Sequence, residues 1–151
     1  LSKILDAHHA LHEALRDAEA FAEALVNFNE ALPAEPPLQL WLNVVMAPGR
    51  AEILDQVLGL GEDQVVVEYA QTFHIELIVR REDAAIREAL FTQALAAIQA
   101  ILHAERRLGG VARGLQIGPA DFTNHRYAHI PTTAAANIPV RVLLSGPSPI
   151  G

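Results

Sequence analysis

Residues Gln64–Gly110 read QVVVEYAQTFHIELIVRREDAAIREALFTQALAAIQAILHAERRLGG. The first part alternates. Val65, Val67, Tyr69, Phe73, Ile75, Leu77 and Val79 share one face, and Glu68, Thr72, His74, Glu76 and Arg80 the other. Strand side chains switch faces at every residue, so Gln64–Arg81 is predicted to be one long strand with a buried face. The β-branched and aromatic residues suit a pleated surface. The period then changes. Ile86, Leu90, Phe91, Leu95, Ile98, Ile101 and Leu102 recur every three or four residues, as on one face of a helix over Ala84–Arg107. Asp83 is placed to cap its first amides, and Arg106 and Arg107 lie where the helix dipole favours cations. Gly109 and Gly110 permit the left-handed turn that stops it. A long strand and a long helix, each with one apolar face, define a two-layer core.

Working outward, Ser2–Arg16 reads as a helix capped by Ser2, with Leu1, Ile4, Leu5, His8, Leu11 and Leu15 on one face. Asp17–Leu32 is ambiguous: its Ala and Glu favour helix, while Ala22, Ala24, Val26 and Phe28 also alternate. Pro33, Pro36 and Pro37 form a stiff link. Leu38–Met46 alternates with apolar residues on both faces, a strand that is central or covered. The connection Ala47–Asp63 is long, carries Ile53, Leu54, Val57, Leu58 and Leu60, and admits a short amphipathic helix over Ala51–Leu58. Val111–Ile117 can form a short strand, and Gly118–Thr133 reads as loop. Ile138–Leu144 alternates, and Pro139 predicts that this strand begins there or lies at an edge. Ser145–Gly151 reads as an extended tail. The expected fold is a single α+β domain over residues 1–151, a mostly antiparallel sheet packed against two helices.

The totals restrict function. The chain has 151 residues, 51% of them hydrophobic, enough for one folded domain. No apolar run reaches the roughly eighteen residues of a membrane span. The opening LSKILDAHHALHEAL reads as an amphipathic helix, not a secretion signal. Cysteine is absent, which removes disulfides, thiol catalysis and thiolate metal sites. Eleven Lys and Arg stand against 18 Asp and Glu, a net charge of −7, with no basic run to grip nucleic-acid phosphates.

Candidate chemistry centres on histidine. His8 and His12, like His9 and Glu13, are four apart on a helix, a spacing that admits one metal but shows no third ligand. His125 and His129 flank Tyr127 and would share a strand face with it. His74 and Glu76 lie near Glu68 and Thr72 on the polar strand face, a setting for acid–base chemistry. For each, a structural or solvated role is the competing reading. No nucleophile elbow, phosphate loop or dinucleotide fingerprint occurs. The expectation is therefore a protein with no catalytic residues, no cofactor and no metal.

The order of these segments resembles the tail-terminator (tail-completion) proteins of long-tailed bacteriophages and gene transfer agents. The resemblance is carried by the N-terminal amphipathic helix, LVNFNEALPAEPPLQLWLN, the strand VEYAQTFHIELIV, the helix ending in Leu-Gly-Gly, and the closing ANIPVRVLLSGPSPIG. It departs at Ala47-Pro48-Gly49-Arg50, where such sequences often have Asp-Gly, and in the apolar character of Glu52–Asp63. The resemblance implies that Phe21–Phe28 is a strand. It also implies a structural virion protein, not an enzyme. Such proteins form a ring, usually hexameric, at the head-proximal end of the tail, assembled in the host cytoplasm. The ring stops polymerisation of the major tail tube protein and offers a surface to the head–tail connector or neck protein. DNA passes through its lumen without specific binding, and no membrane is involved. The expected subunit or tube interface is Arg50, Ile53, Leu54, Val57, Leu58 and Leu60, with Glu52, Asp55, Glu62 and Asp63 as candidate lumen acids. The competing readings are a head-completion or neck adaptor and a small histidine-dependent metal hydrolase or transferase.

Overall fold

A computed structural model describes residues 2–36, 40–58 and 65–147, with the backbone alone at 57, 58 and 65. Its elements are helix α1 (Lys3–Arg16), strands β1 (Leu25–Phe28), β2 (Leu40–Met46), β3 (Glu52–Leu58) and β4 (Val65–Arg80), helix α2 (Ala84–Ala104), and strands β5 (Gly114–Ile117) and β6 (Thr133–Gly146). The fold is α+β. Six strands form one sheet in the order β1-β2-β4-β6-β5, with β3 beside β4. Every pairing is antiparallel except β1 with β2.

The long strand organises the sheet as its alternation predicts. One flank of β4 pairs with β6 in a continuous register, from Val67↔Gly146 to Arg80↔Thr133. The other flank is shared: β3 lies along Val65–Ala70 and β2 along Phe73–Val79. Gln71 and Thr72 sit at the break between them. The Thr72 carbonyl there accepts from the Ala47 amide (3.0 Å) and from Gln71 Nε2 (3.0 Å).

Both helices cover the odd-numbered face of β4. Val67, Tyr69, Phe73, Ile75, Leu77 and Val79 are buried there with Leu11 and Leu15 of α1 and Ile98 and Leu102 of α2. Ser2 Oγ accepts from the Ile4 amide and Asp83 Oδ1 from the Ile86 amide, the two expected caps. Leu5 departs from the expected stripe and is exposed; Ala7 is buried instead. α2 ends at Ala104, one turn short of the expected Arg107, and a 3-10 turn over Leu108–Gly110 follows. Leu108, Gly109 and Gly110 all have positive φ, so a buried Leu takes part in a left-handed turn that glycine enters without strain. α2 reaches the length and mean hydropathy (1.3) of a membrane span, which the composition had argued against; its inner strip packs on the sheet.

Other expectations are corrected. Ala51–Leu58 is not a helix: β3 is a strand, with a register shift between Ile53 and Asp55. Phe21 lies in a 3-10 turn, and the strand implied nearby is Leu25–Phe28. β6 starts at Thr133, five residues before the expected Ile138, and keeps Ser145 and Gly146 as strand, not tail. Pro139 is inside it. The Pro139 carbonyl accepts from the Gly118 amide (2.8 Å), and a strand residue's N and C=O point the same way. The missing N–H therefore faces the β5 side, just past the end of β5, and no bond to β4 is lost. A side chain at position 118 would meet Pro139 Cγ at 2.7 Å, so the chain passes there only as glycine.

The even-numbered face has its own cover. Trp41, Ile78, Ala135 and Tyr127 form a second apolar cluster, closed by Leu32 and Ile130. The Tyr127 hydroxyl donates to the Pro33 carbonyl, and Arg80 to the Pro36 carbonyl (2.8 Å). The apolar outer face of β2 is thus covered by the chain's own loops.

Candidate interaction surface

β3 is an edge strand. Among the described residues it pairs with β4 alone, so its outer row of backbone groups is open. Ile53, opposite Tyr69, is 60% exposed, and Leu54, at the register shift, is 43% exposed. Val66 on the adjoining strand is 43% exposed. All five side chains from Glu52 to Gln56 are exposed, so this stretch hides neither face, and Ile53 and Leu54 stand next to each other at the register shift. Arg50 is exposed just before the strand. Of the other interface candidates, Val57 and Leu58 pair with Val66 and Val65 through their backbones, and Leu60 lies outside the described residues. The structure thus brings Arg50, Ile53 and Leu54 to one exposed edge.

The acids near this edge are largely engaged. Glu52 pairs with Arg141 (2.8 Å), and Glu68 pairs with Arg113. Asp55 Oδ1 accepts from the Gln56 amide (2.8 Å). Glu62 and Asp63 lie outside the described residues.

The histidine clusters are resolved into separate roles. His8 Nε2 donates to the Val44 carbonyl (2.8 Å) and His12 Nε2 to the Val26 carbonyl (2.9 Å). A carbonyl only accepts, so each ring is held with its proton on Nε2. The two residues fasten α1 to β2 and β1. Phe28 lies among three imidazoles: His8 at 4.0 Å, His9 stacked at 4.4 Å and His12 edge-on at 5.5 Å. The i, i+4 spacing seen in the sequence therefore holds a strand, and no sequence signal identified Phe28 as what the three rings enclose. Among the described residues no group of three potential metal ligands occurs.

His125, Tyr127 and His129 do not share a strand face. They lie in successive turns, His125 and Tyr127 buried and His129 exposed. The Tyr127 amide donates to His125 Nδ1 (3.3 Å), which leaves the buried His125 Nε2 without a partner. Burial lowers the His125 pKa and keeps the ring neutral.

Glu68 and Glu76 are eight positions apart on β4, about 27 Å at 3.4 Å per residue, so they are not a catalytic pair. Glu76 is instead tied to Asn43. Asn43 Nδ2 donates to Glu76 Oε1 (2.8 Å) and to the Glu30 carbonyl (2.7 Å), and its Oδ1 accepts from the Glu30 amide (3.1 Å). Burial raises the Glu76 pKa, and the Asn43 bond acts against that rise. His74 lines an open cleft of about 610 Å³ with Phe122, Asn124, Asn137 and Pro139.

No family model matches the chain, and no curated protein matches it.

Proposed function

We propose that this is a structural ring protein of the tail-terminator kind, which closes the head-proximal end of a phage or gene-transfer-agent tail and joins it to the neck. The reading is supported by β3: an open strand edge that carries Ile53 and Leu54 outward beside Val66. A monomer gains nothing from such an edge, and another chain can bury it. In a closed ring each subunit meets the next through two different patches. The β3 edge is one such patch, facing the neighbouring subunit or the tube end. The work is done by shape and contact, with no bond broken.

The test is native mass measurement on the wild-type chain and on the Ile53→Ser/Leu54→Ser double variant. The wild type should give a six-fold mass. The double variant should keep its melting temperature, because both side chains are already exposed, and should fail to close the ring. A wild-type chain that never exceeds a dimer at high concentration would refute the ring reading. Rings of the double variant as stable as the wild type would refute the role of β3.

A further inference from the structure

Three segments meet on the even-numbered face of the sheet to form the cleft of about 610 Å³. β4 supplies His74. β6 supplies Asn137 and Pro139, which stand opposite Glu76 and His74 in the register. The chain after β5 supplies Pro119, Phe122 and Asn124. A bridge between Asp121 and Asn137 holds that loop against β6. The Phe122 ring meets Phe91 of α2 at 5.9 Å and 61°, yet remains 50% exposed. The volume falls within the roughly 300–1,000 Å³ of ligand pockets. Among the described residues no Lys or Arg lines the cleft. Its one carboxylate, Asp121, accepts from the Thr123 amide and hydroxyl and from the Asn124 amide and Nδ2. An anion finds no cation there, and a cation finds the carboxylate already engaged. Neutral groups remain. Asn137 Oδ1 is buried and, among the described residues, without a partner. Glu76 opposite does not serve it, because an ionised carboxylate only accepts. The half-buried His74 ring brings one N–H.

We propose that this cleft receives a tyrosine side chain of a partner protein. Phe122 offers the incoming ring an aromatic face, and Pro119 and Pro139 offer it apolar walls. The phenol hydroxyl both donates and accepts. It donates to Asn137 Oδ1, the oxygen that lacks a donor, and accepts from the His74 N–H. Other side chains meet only part of this demand. Phenylalanine lacks the hydroxyl, tryptophan only donates, and serine and threonine lack the ring. A second copy of the chain is not the partner. The chain has two tyrosines, and Tyr69 and Tyr127 are 0% and 1% exposed. A free phenol is not the ligand either. The cleft is open, and the exposed rim at Pro119 and Phe122 needs residues flanking the tyrosine to cover it. The site shares no residue with the β3 edge and does not rest on the ring reading.

NMR titration of the full chain, labelled at histidine and asparagine, tests this. N-acetyl-tyrosinamide should shift the His74 ring and Asn137 side-chain signals, with an affinity on the order of millimolar. N-acetyl-phenylalaninamide should bind about tenfold more weakly, the worth of one hydroxyl bond. Asn137→Ala should erase that difference and still fold, because the oxygen it removes is unpaired in the free protein. Phe122→Ser should weaken the tyrosine probe by a similar factor without changing the circular dichroism spectrum, since that ring is half exposed. A Gly-Ser-Tyr-Ser-Gly peptide should bind more tightly than p-cresol. Equal affinity of the two would overturn the protein source. Stronger binding of adenosine than of the tyrosine probe would overturn the ligand class. Equal binding of the tyrosine and phenylalanine probes would overturn the role of Asn137 and His74. No shift at about 10 mM probe would overturn the site. Each readout reports on the cleft whether or not a six-fold mass is found, so the two ideas fail separately.

Discussion

His8 and His125 are held neutral by burial, which lowers both pKa values from 6.5; for His8 the Val44 carbonyl opposes the shift, and the neighbouring His9 and His12 add to it. In the unfolded chain each regains its ordinary value. Between the folded and unfolded pKa the unfolded chain binds more protons, so stability is full above about pH 6.5 and declines as pH falls towards the folded values. Glu76 acts oppositely. Its raised pKa makes its contribution full below the unfolded 4.5 and lost as pH rises through the folded value. Glu76→Gln keeps an oxygen for Asn43 Nδ2 and removes a charge from a partly buried site. Its melting temperature at pH 7 should exceed that of the wild type, and the gap should close as pH drops through the carboxylate range. Thermal melts of both proteins from pH 4 to 8 check this; a variant less stable than wild type at pH 7 would contradict it. The location of His8 on an apolar stripe was legible from the chain. Its partner was not, because Val44 belongs to a different element and no local pattern names it.

At the scale of elements, β4 and α2 were readable because each keeps a single period throughout. β3 was not. Its Ile53, Leu54, Val57 and Leu58 recur at helical spacing, and the register shift after Ile53 breaks the alternation that would mark a strand. β6 was half-legible: Pro139 predicts that the strand begins there or lies at an edge, and the direction of its nitrogen depends on which neighbour lies on which side. The packing of α2 gives a direct check. Ile98 is buried against the sheet. Ile98→Asp would bring an unpaired charge into that contact and should destabilise by more than about 4 kcal/mol, enough to unfold a small domain. Ala85→Asp on the exposed side should stay within about 0.5 kcal/mol. Urea denaturation of the two variants reads the difference, and equal midpoints would sink the assignment of the buried strip.

For the whole molecule, the net charge of −7 and the lack of a basic run in the sequence argue against a grip on duplex phosphates, and among the described residues Arg113 and Arg141 are already paired with Glu68 and Glu52. The purified protein should therefore show no affinity for duplex DNA by fluorescence anisotropy at moderate salt. Tight, salt-sensitive binding would disfavour the terminator reading and favour a neck adaptor that holds the DNA end. The two-layer arrangement of helices on sheet followed from pattern alone. The second cluster on the opposite face did not. Trp41, Ile78, Tyr127 and Ala135 come from four separate segments, and only the closed sheet puts them side by side.

The ladder between β4 and β6 has a consequence in time. β6 is the last of the described elements in chain order, yet it lies between β4 and β5 in the sheet. Each rung joins residues with all of α2 and β5 between them, from Arg80 with Thr133 to Val67 with Gly146. Closing so long a loop delays pairing and raises contact order. During synthesis β2, β3 and β4 can form hairpin-like pairs early, while the other flank of β4 stays open until the final strand is made. A nascent or stalled chain thus exposes the longest sticky edge in the molecule, and it is at that stage, before the native sheet closes, that mispairing between growing chains is most favoured.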